Sequence, residues 1–121
     1  MRAIEEYDLF KKAHELNVKL AGMIEKRDRE KSFLITEALR SGTGINIALI
    51  EGAYTGKGHF RPALDRAFAK GAGVRYFINL MKESSLLDDK EGKTLEEEAV
   101  NICKMISGLR NKIDEESKNE G

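Results

Sequence analysis

Apolar residues recur along the chain at alternating steps of three and four, the spacing that keeps side chains on one face of an α-helix. The first such stretch consists of Leu9, Ala13, Leu16, Leu20 and Ile24, and it runs into the charged segment 25–31. The second consists of Ile35, Ala38, Gly42, Ile45, Leu49 and Gly52. Because the spacing of the second stretch continues straight through its glycines, it predicts a continuous helix rather than a loop.

Two further stretches keep the same spacing. The third consists of Phe60, Leu64, Ala67, Gly71, Val74, Ile78 and Met81. Pro62 lies near its start, where a missing backbone amide is tolerated. The fourth consists of Leu95, Ala99, Ile102, Ile106, Leu109 and Ile113. Thr94 and Glu97 have the pattern of a capping box, so we expect the fourth helix to begin at Thr94.

Three short connections join these stretches: a charged turn at 27–31, a glycine-rich turn at 53–58 and a polar loop at 84–93. Short links force consecutive helices to lie antiparallel. The sequence therefore predicts an all-α protein, an up-down-up-down four-helix bundle. The 121 residues are expected to form a single domain, 1–121, with a frayed polar tail at about 115–121.

Composition agrees with a helical protein that has long solvated faces. Charged residues make up 35% of the chain and hydrophobic residues 40%, with one Pro and no Trp. The formal net charge is zero, so binding to nucleic acid would need a local basic patch. Cys103 is the single cysteine, and neither a signal peptide nor a long apolar span is visible. We expect a cytoplasmic protein that does not bind membranes.

The glycines of the stretch LRSGTGINIALIEG, residues 39–52, raise the question of a phosphate-binding loop. A Walker-type loop needs a preceding strand and a Gly-Lys-Ser/Thr ending, and this stretch has neither. Glycine inside a helix costs about 1 kcal/mol relative to alanine, and close approach by a neighbouring helix is the usual compensation. We therefore interpret Gly42, Gly44, Gly71 and Gly73 as helix-packing glycines. A kink that shapes a small-molecule crevice is the alternative.

Residues that could carry catalysis are scattered. The sequence offers His14, His59 and Cys103 singly, without metal-ligand spacing, and Cys103 is expected to be a small core residue. Glu37 and Glu51 would lie about 21 Å apart along one helix, too far to share a substrate. We therefore predict no catalytic residue, no metal and no cofactor.

Two asparagines lie close to the apolar faces of the first and second helices. For Asn17 and Asn46 we expect a hydrogen bond that fixes how the helices align. A crevice near Asn46 and Glu51, acting as an active site, is the competing hypothesis, and it requires a deep polar pocket with a perturbed carboxylate.

The third helix is locally basic. Its basic residues and those just before it are Lys57, Arg61, Arg66, Lys70, Arg75 and Lys82, against Asp65 alone. One interpretation is a surface for structured RNA, formed by Lys57, Arg61, Arg66, Lys70 and Arg75 with the rings of Tyr76 and Phe77. The other is pairing with the acidic fourth helix. Because the basic residues flank the apolar seam on both sides, the second interpretation is favoured.

Three stretches resemble a known family. They are FKKAHEL, residues 39–52 and VRYFINLM, which are similar to stretches of the four helix bundle protein family. That family was first met as the product of intervening sequences in bacterial 23S ribosomal RNA genes. Ala48 replaces the family's usual Asn, and Gly73 replaces an acidic residue.

The resemblance implies a ring-shaped homopentamer without enzymatic activity. A related accessory protein of diversity-generating retroelements is a basic pentamer that binds RNA and reverse transcriptase. Tyr76, Phe77 and Leu80 are then candidates for the contact between subunits. We expect a self-associating assembly or adaptor module, with an RNA-binding accessory protein as the alternative function.

Overall fold

The computed structural model describes residues 3–25, 32–56 and 58–120. A 3₁₀ turn at Ile4–Glu6 precedes four helices, which are α1 (Asp8–Glu25), α2 (Phe33–Tyr54), α3 (Phe60–Glu83) and α4 (Asp89–Glu120). These residues contain no strand, so the predicted all-α four-helix bundle is confirmed. The charged turn predicted at 27–31 and Lys57 lie outside the described residues.

Consecutive helices run in opposite directions. Gly52, near the end of α2, lies beside Ala63 near the start of α3, and Ser41 lies beside Gly73 further along the same pair. The pair α3 and α4 is joined at one end by Arg61 with Asp114 and at the other by Lys82 with Glu96. Helix α4 also packs against α1, which closes the bundle.

The periodic apolar positions form one core cluster to which all four helices contribute. Nearly all are buried, and Ile24, Phe60, Leu109 and Ile113, at the ends of their stretches, are partly exposed. Complete burial of a Leu or Ile side chain stabilises a fold by about 1.5–3 kcal/mol. The largest side chains exposed by less than 2% include Leu16, Leu20, Ile35, Leu49, Leu64, Ile78 and Ile106.

The start of α4 differs from the prediction. Asp88 caps the helix, because its Oδ1 accepts a 2.7 Å hydrogen bond from the backbone amide of Glu91. Thr94 lies inside the helix, where its hydroxyl donates to the carbonyl of Lys90 at 3.0 Å. The capping box expected at Thr94 is therefore wrong. At the other end α4 continues to Glu120, so most of the expected tail at 115–121 is helical.

The end of α3 has a Schellman arrangement. The amide of Leu86 donates to the carbonyl of Met81, and the amide of Ser85 donates to the carbonyl of Lys82. This geometry puts Ser85 at a φ of 62°, in the left-handed region that glycine usually occupies. Within the described ranges no helix is both long and apolar enough to cross a membrane.

Candidate functional site

A buried polar network connects α1 to α2. The side-chain amide of Asn17 donates to the carbonyl of Gly42 at 3.1 Å and to Oδ1 of Asn46 at 3.0 Å. The Asn46 amide donates in turn to the carbonyl of Phe10 at 3.1 Å. Both asparagines are only 8% exposed. Both asparagines therefore make hydrogen bonds between helices, as expected, and these bonds fix the register of α1 and α2.

Gly42 is the position where this network meets the α2 backbone. A β-carbon at residue 42 would stand 2.1 Å from Oδ1 of Asn17, which is closer than atoms of folded proteins approach. That oxygen accepts no hydrogen bond from the part of the chain that the structure describes. A glycine at residue 42 therefore lets the Asn17 side chain lie directly against α2.

Two other glycines also leave no room for a side chain. A β-carbon at Gly71 would stand 2.8 Å from Sγ of Cys103, and one at Gly52 would stand 2.3 Å from Cβ of Ala63. Cys103 is buried, and burial raises the pKa of its thiol. Gly52 belonged to the predicted apolar stretch without being recognised as a packing glycine. Its contact with Ala63 depends on where α3 begins.

Gly44 and Gly73 lie at looser contacts between α2 and α3. A β-carbon at Gly44 would meet the aliphatic stem of Lys70 at 3.0 Å, and one at Gly73 would meet Oγ of Ser41 at 3.2 Å. Both neighbours are side-chain atoms rather than backbone. The structure therefore places the four predicted glycines at close contacts of two kinds, tight at Gly42 and Gly71 and adjustable at these two.

Arg61 belongs to an ion-pair cluster between α3 and α4. Its guanidinium donates to Asp114 at 2.8 Å and to Asp65 at 2.6 Å, and Arg110 donates to Asp65 at 3.1 Å. The hydrogen bonds from Arg61 hold the pKa of both carboxyl groups below their ordinary range. Asp114 and Arg110 were not singled out in the sequence, because their approach to α3 depends on how the two helices align, whereas Arg61 and Asp65 are four residues apart on α3 itself.

The remaining basic residues of α3 point in different directions. Arg75 lies on the α4 side, close enough to Glu96 to assist Lys82 in lowering the pKa of that carboxyl group. Lys70 lies along α2, as described above, and Arg66 is exposed. Of the predicted nucleic-acid residues, the four that the structure describes, Arg61, Arg66, Lys70 and Arg75, do not form one stripe.

The three predicted interface residues of α3 are placed differently. Tyr76 is 63% exposed, whereas Phe77 and Leu80 are partly buried. The rings of Tyr76 and Phe77 meet edge to face, with 5.8 Å between their centroids. Phe77 also packs against the core, so Tyr76 and Leu80 are the two that remain on the outer side of α3.

The outer side of α2 was not among the predicted contact surfaces. Large apolar side chains are exposed there: Phe33 and Tyr54 at 63%, Ile47 at 52% and Ile50 at 37%. We define the outer α2 face as the line of residues that steps 4, 3, 4, 3, 4, 3 along the side turned away from the core. Its members are Phe33, Glu37, Arg40, Gly44, Ile47, Glu51 and Tyr54. This spacing was readable in the sequence, but only burial shows that most of the line is exposed.

The residues considered for catalysis are not brought together. Asn46 is buried against α1, whereas Glu51 is exposed on the outer α2 face. A groove of about 540 Å³ lies elsewhere, between α1 and α4, with Val18, Met23 and Leu95 among its lining residues. Within the described ranges, no three His, Cys, Asp or Glu side chains are grouped so that they could hold a metal ion.

These observations define the class: an all-α bundle of four helices whose second helix exposes several large apolar side chains on its outer side. Among solved structures, the chain is similar to a protein of unknown function from the S23 ribosomal protein family of Bacteroides thetaiotaomicron. The two chains are 16% identical with a TM-score of 0.72, and the likeness covers 84% of this chain and 97% of the other. No family model and no curated protein matches this chain. The similarity to the solved structure shows a shared fold.

Proposed function

We propose that this protein is a non-enzymatic, self-associating helical bundle that serves as an assembly or adaptor module. The observation that carries the proposal is the exposed apolar surface of α2. The resemblance of three stretches to a family of ring-forming bundles suggests five copies as the stoichiometry to test. The partner of the module is then, first of all, another copy of the same chain.

Helix α2 is unusually apolar for a helix at the surface of a bundle. Glu37, Arg40 and Glu51 are its only charged residues among 22. Its inner side packs in the core, and its outer side still exposes most of Phe33, Ile47 and Tyr54. Burying such a side chain completely is worth about 1.5–3 kcal/mol. A helix that is apolar all round is normally covered on every side, so its exposed line favours a protein–protein contact.

Binding of structured RNA is the alternative proposal. Arg66 and Lys70 are exposed on α3, which supports it, whereas Arg61 is engaged by two carboxylates. Real phosphate contacts would make the affinity for RNA fall steeply with salt. Retention of a structured RNA at low salt that is lost as salt rises would favour this alternative.

The proposal is tested by the mass of the protein in solution. Light scattering at tens of micromolar should give a multiple of the chain mass of 13.6 kDa, and five times that value for the ring. Ile47→Glu should lower the mass, because it puts a charge into the contact. Val18→Glu is the matched control, since Val18 is exposed to a similar extent, 57% against 52%, but lies on α1. A monomeric wild-type protein would refute self-association.

A further inference from the structure

A second unpartnered line, on α3, has the same spacing as the outer α2 face. We define the outer α3 face by its members, which step 4, 3, 4, 3, 4, 3 along the helix. They are Pro62, Arg66, Ala69, Gly73, Tyr76, Leu80 and Glu83. No member of either line is buried. Both lines have the spacing of a heptad seam, the spacing at which helices pack against each other.

We propose that the outer α2 face of one copy packs antiparallel against the outer α3 face of the next copy. This inference rests on the proposed self-association and identifies the two surfaces that form the contact. A closed ring requires two different surfaces on each chain, whereas a two-fold dimer uses one surface twice. The chain carries two different seams of equal length, which matches the first case.

The direction of the helices agrees with this arrangement. Rotation about an axis parallel to the bundle leaves every helix pointing the same way, so α2 of one copy meets α3 of the next in opposite directions. This is the relation that α2 and α3 already have within one chain. Two seams with these steps can then be matched along their whole length, each residue of one line facing one residue of the other.

Over residues 40–51 of α2, the matched register brings complementary groups together. Glu51 faces Arg66 of the next copy, and at the centre Gly44 faces Gly73, each of which already has one neighbour in its own chain, the stem of Lys70 and the hydroxyl of Ser41. Arg40 faces Tyr76, whose ring can accept a cation–π contact. Ile47 faces Ala69, a large residue opposite a small one.

The charged side chains at these positions are exposed. Arg66 and Glu51 are exposed, and neither makes an ion pair with another residue of the described ranges. Arg40 makes only a long contact of 3.9 Å with Glu37, and its side chain is 75% exposed. Opposite charges that face each other across a contact fix its register and exclude wrong ones.

The angle between the two faces also suits a small ring. Neighbouring helices at the corners of a four-helix bundle point away from the core in directions about 90° apart. The two contacts of one subunit diverge by about 108° in a ring of five and by 90° in a ring of four. Outer faces on neighbouring helices are therefore close to the geometry that a ring of this size needs.

Charge reversal tests the inferred register. Glu51→Arg and Arg66→Glu should each raise the concentration at which the oligomer half-dissociates by about tenfold or more, because like charges then face each other. The chain that carries both changes should recover the wild-type value, since the pair is restored with its signs exchanged. The control is Lys104→Glu, a charge reversal at an exposed residue of α4 that should have no effect. Sedimentation over a dilution series measures all four, and circular dichroism checks that the helices are intact.

The outcomes separate this inference from the proposed function. A monomeric wild type overturns both. An oligomer that single reversals leave unchanged, or that the double reversal fails to restore, overturns the paired faces and leaves self-association standing. Ala69→Glu distinguishes this contact from a two-fold contact between two α2 helices. If the outer α3 face is used, the variant should dissociate the oligomer. An unchanged mass would show that the outer α3 face is not used.

Discussion

Replacing Gly42 by alanine should destabilise the protein, although alanine is the better helix former. The new methyl group would stand 2.1 Å from Oδ1 of Asn17, so one of the two side chains must move. The backbone of α2 is held on both sides by neighbouring helices, and the Asn17 side chain is therefore the group that gives way. Its movement breaks the bonds that its amide donates to the Gly42 carbonyl and to Asn46.

The size of the effect follows from two opposing contributions. Alanine gains about 1 kcal/mol over glycine in a helix interior. Each buried polar group that loses its partner costs about 1–3 kcal/mol, and two such bonds are at stake. The net loss for Gly42→Ala is then about 1–5 kcal/mol, a large part of the stability of a small domain.

Urea unfolding followed by circular dichroism, at one fixed protein concentration, measures this loss as a shift of the midpoint. Gly108→Ala is the matched control, because a β-carbon on that exposed α4 glycine would meet nothing within 4 Å. It should stabilise the protein by about 0.5–1 kcal/mol. In a chain that already carries Asn17→Ala, Gly42→Ala should cost much less. If Gly42→Ala stabilised the wild type as Gly108→Ala does, the close contact would not exist in solution.

The ends and ion pairs of the helices give further expectations. Asp88→Ala should lower the free energy of unfolding by about 1 kcal/mol, because the α4 cap is lost. Thr94→Ala should change the free energy of unfolding by no more than about 0.5 kcal/mol. Equal losses for the two variants would instead support a capping box at Thr94. The carboxyl groups of Asp65 and Asp114 have folded pKa values below the ordinary 3.8, so their contribution is full above that pH and is lost as pH falls through the lower folded values. Arg61→Gln should therefore flatten the acid dependence of the melting temperature; an unchanged slope would contradict the ion pairs.

The periodic spacing was sufficient to predict the fold, because a core-facing stripe repeats with the period of the helix whatever its neighbours are. It predicted that α2 continues through Gly42 and that α3 continues through Gly71. The residues at which the helices begin were harder to predict. Asp88 and Glu91 have the same capping pattern as Thr94 and Glu97, and the choice between two such pairs six residues apart depends on the turn that ends α3.

Features that depend on the alignment of two helices could be predicted only in kind. Asn17 and Asn46 were expected to make hydrogen bonds that align the helices, because polar residues beside an apolar seam need partners, but those partners were not predicted. The cluster of Arg61 with Asp65 and Asp114 was visible only as a general excess of basic residues facing acidic ones. Partners across helices follow from the axial offset of the helices, which a single helix's pattern does not contain.

Helix α2 meets two packing requirements, which together account for its glycines and for the apolar residues on its outer side. Its inner line must let α1 and α3 come close, which favours glycine at residues 42 and 52, where β-carbons would collide with neighbours. Its outer line exposes Ile47 and Tyr54, which an isolated surface helix would replace with charged residues. A helix that meets both requirements no longer has one apolar side and one charged side. The weak contrast along α2 therefore reflects one packing surface inside the bundle and one outer surface that we propose meets the next copy.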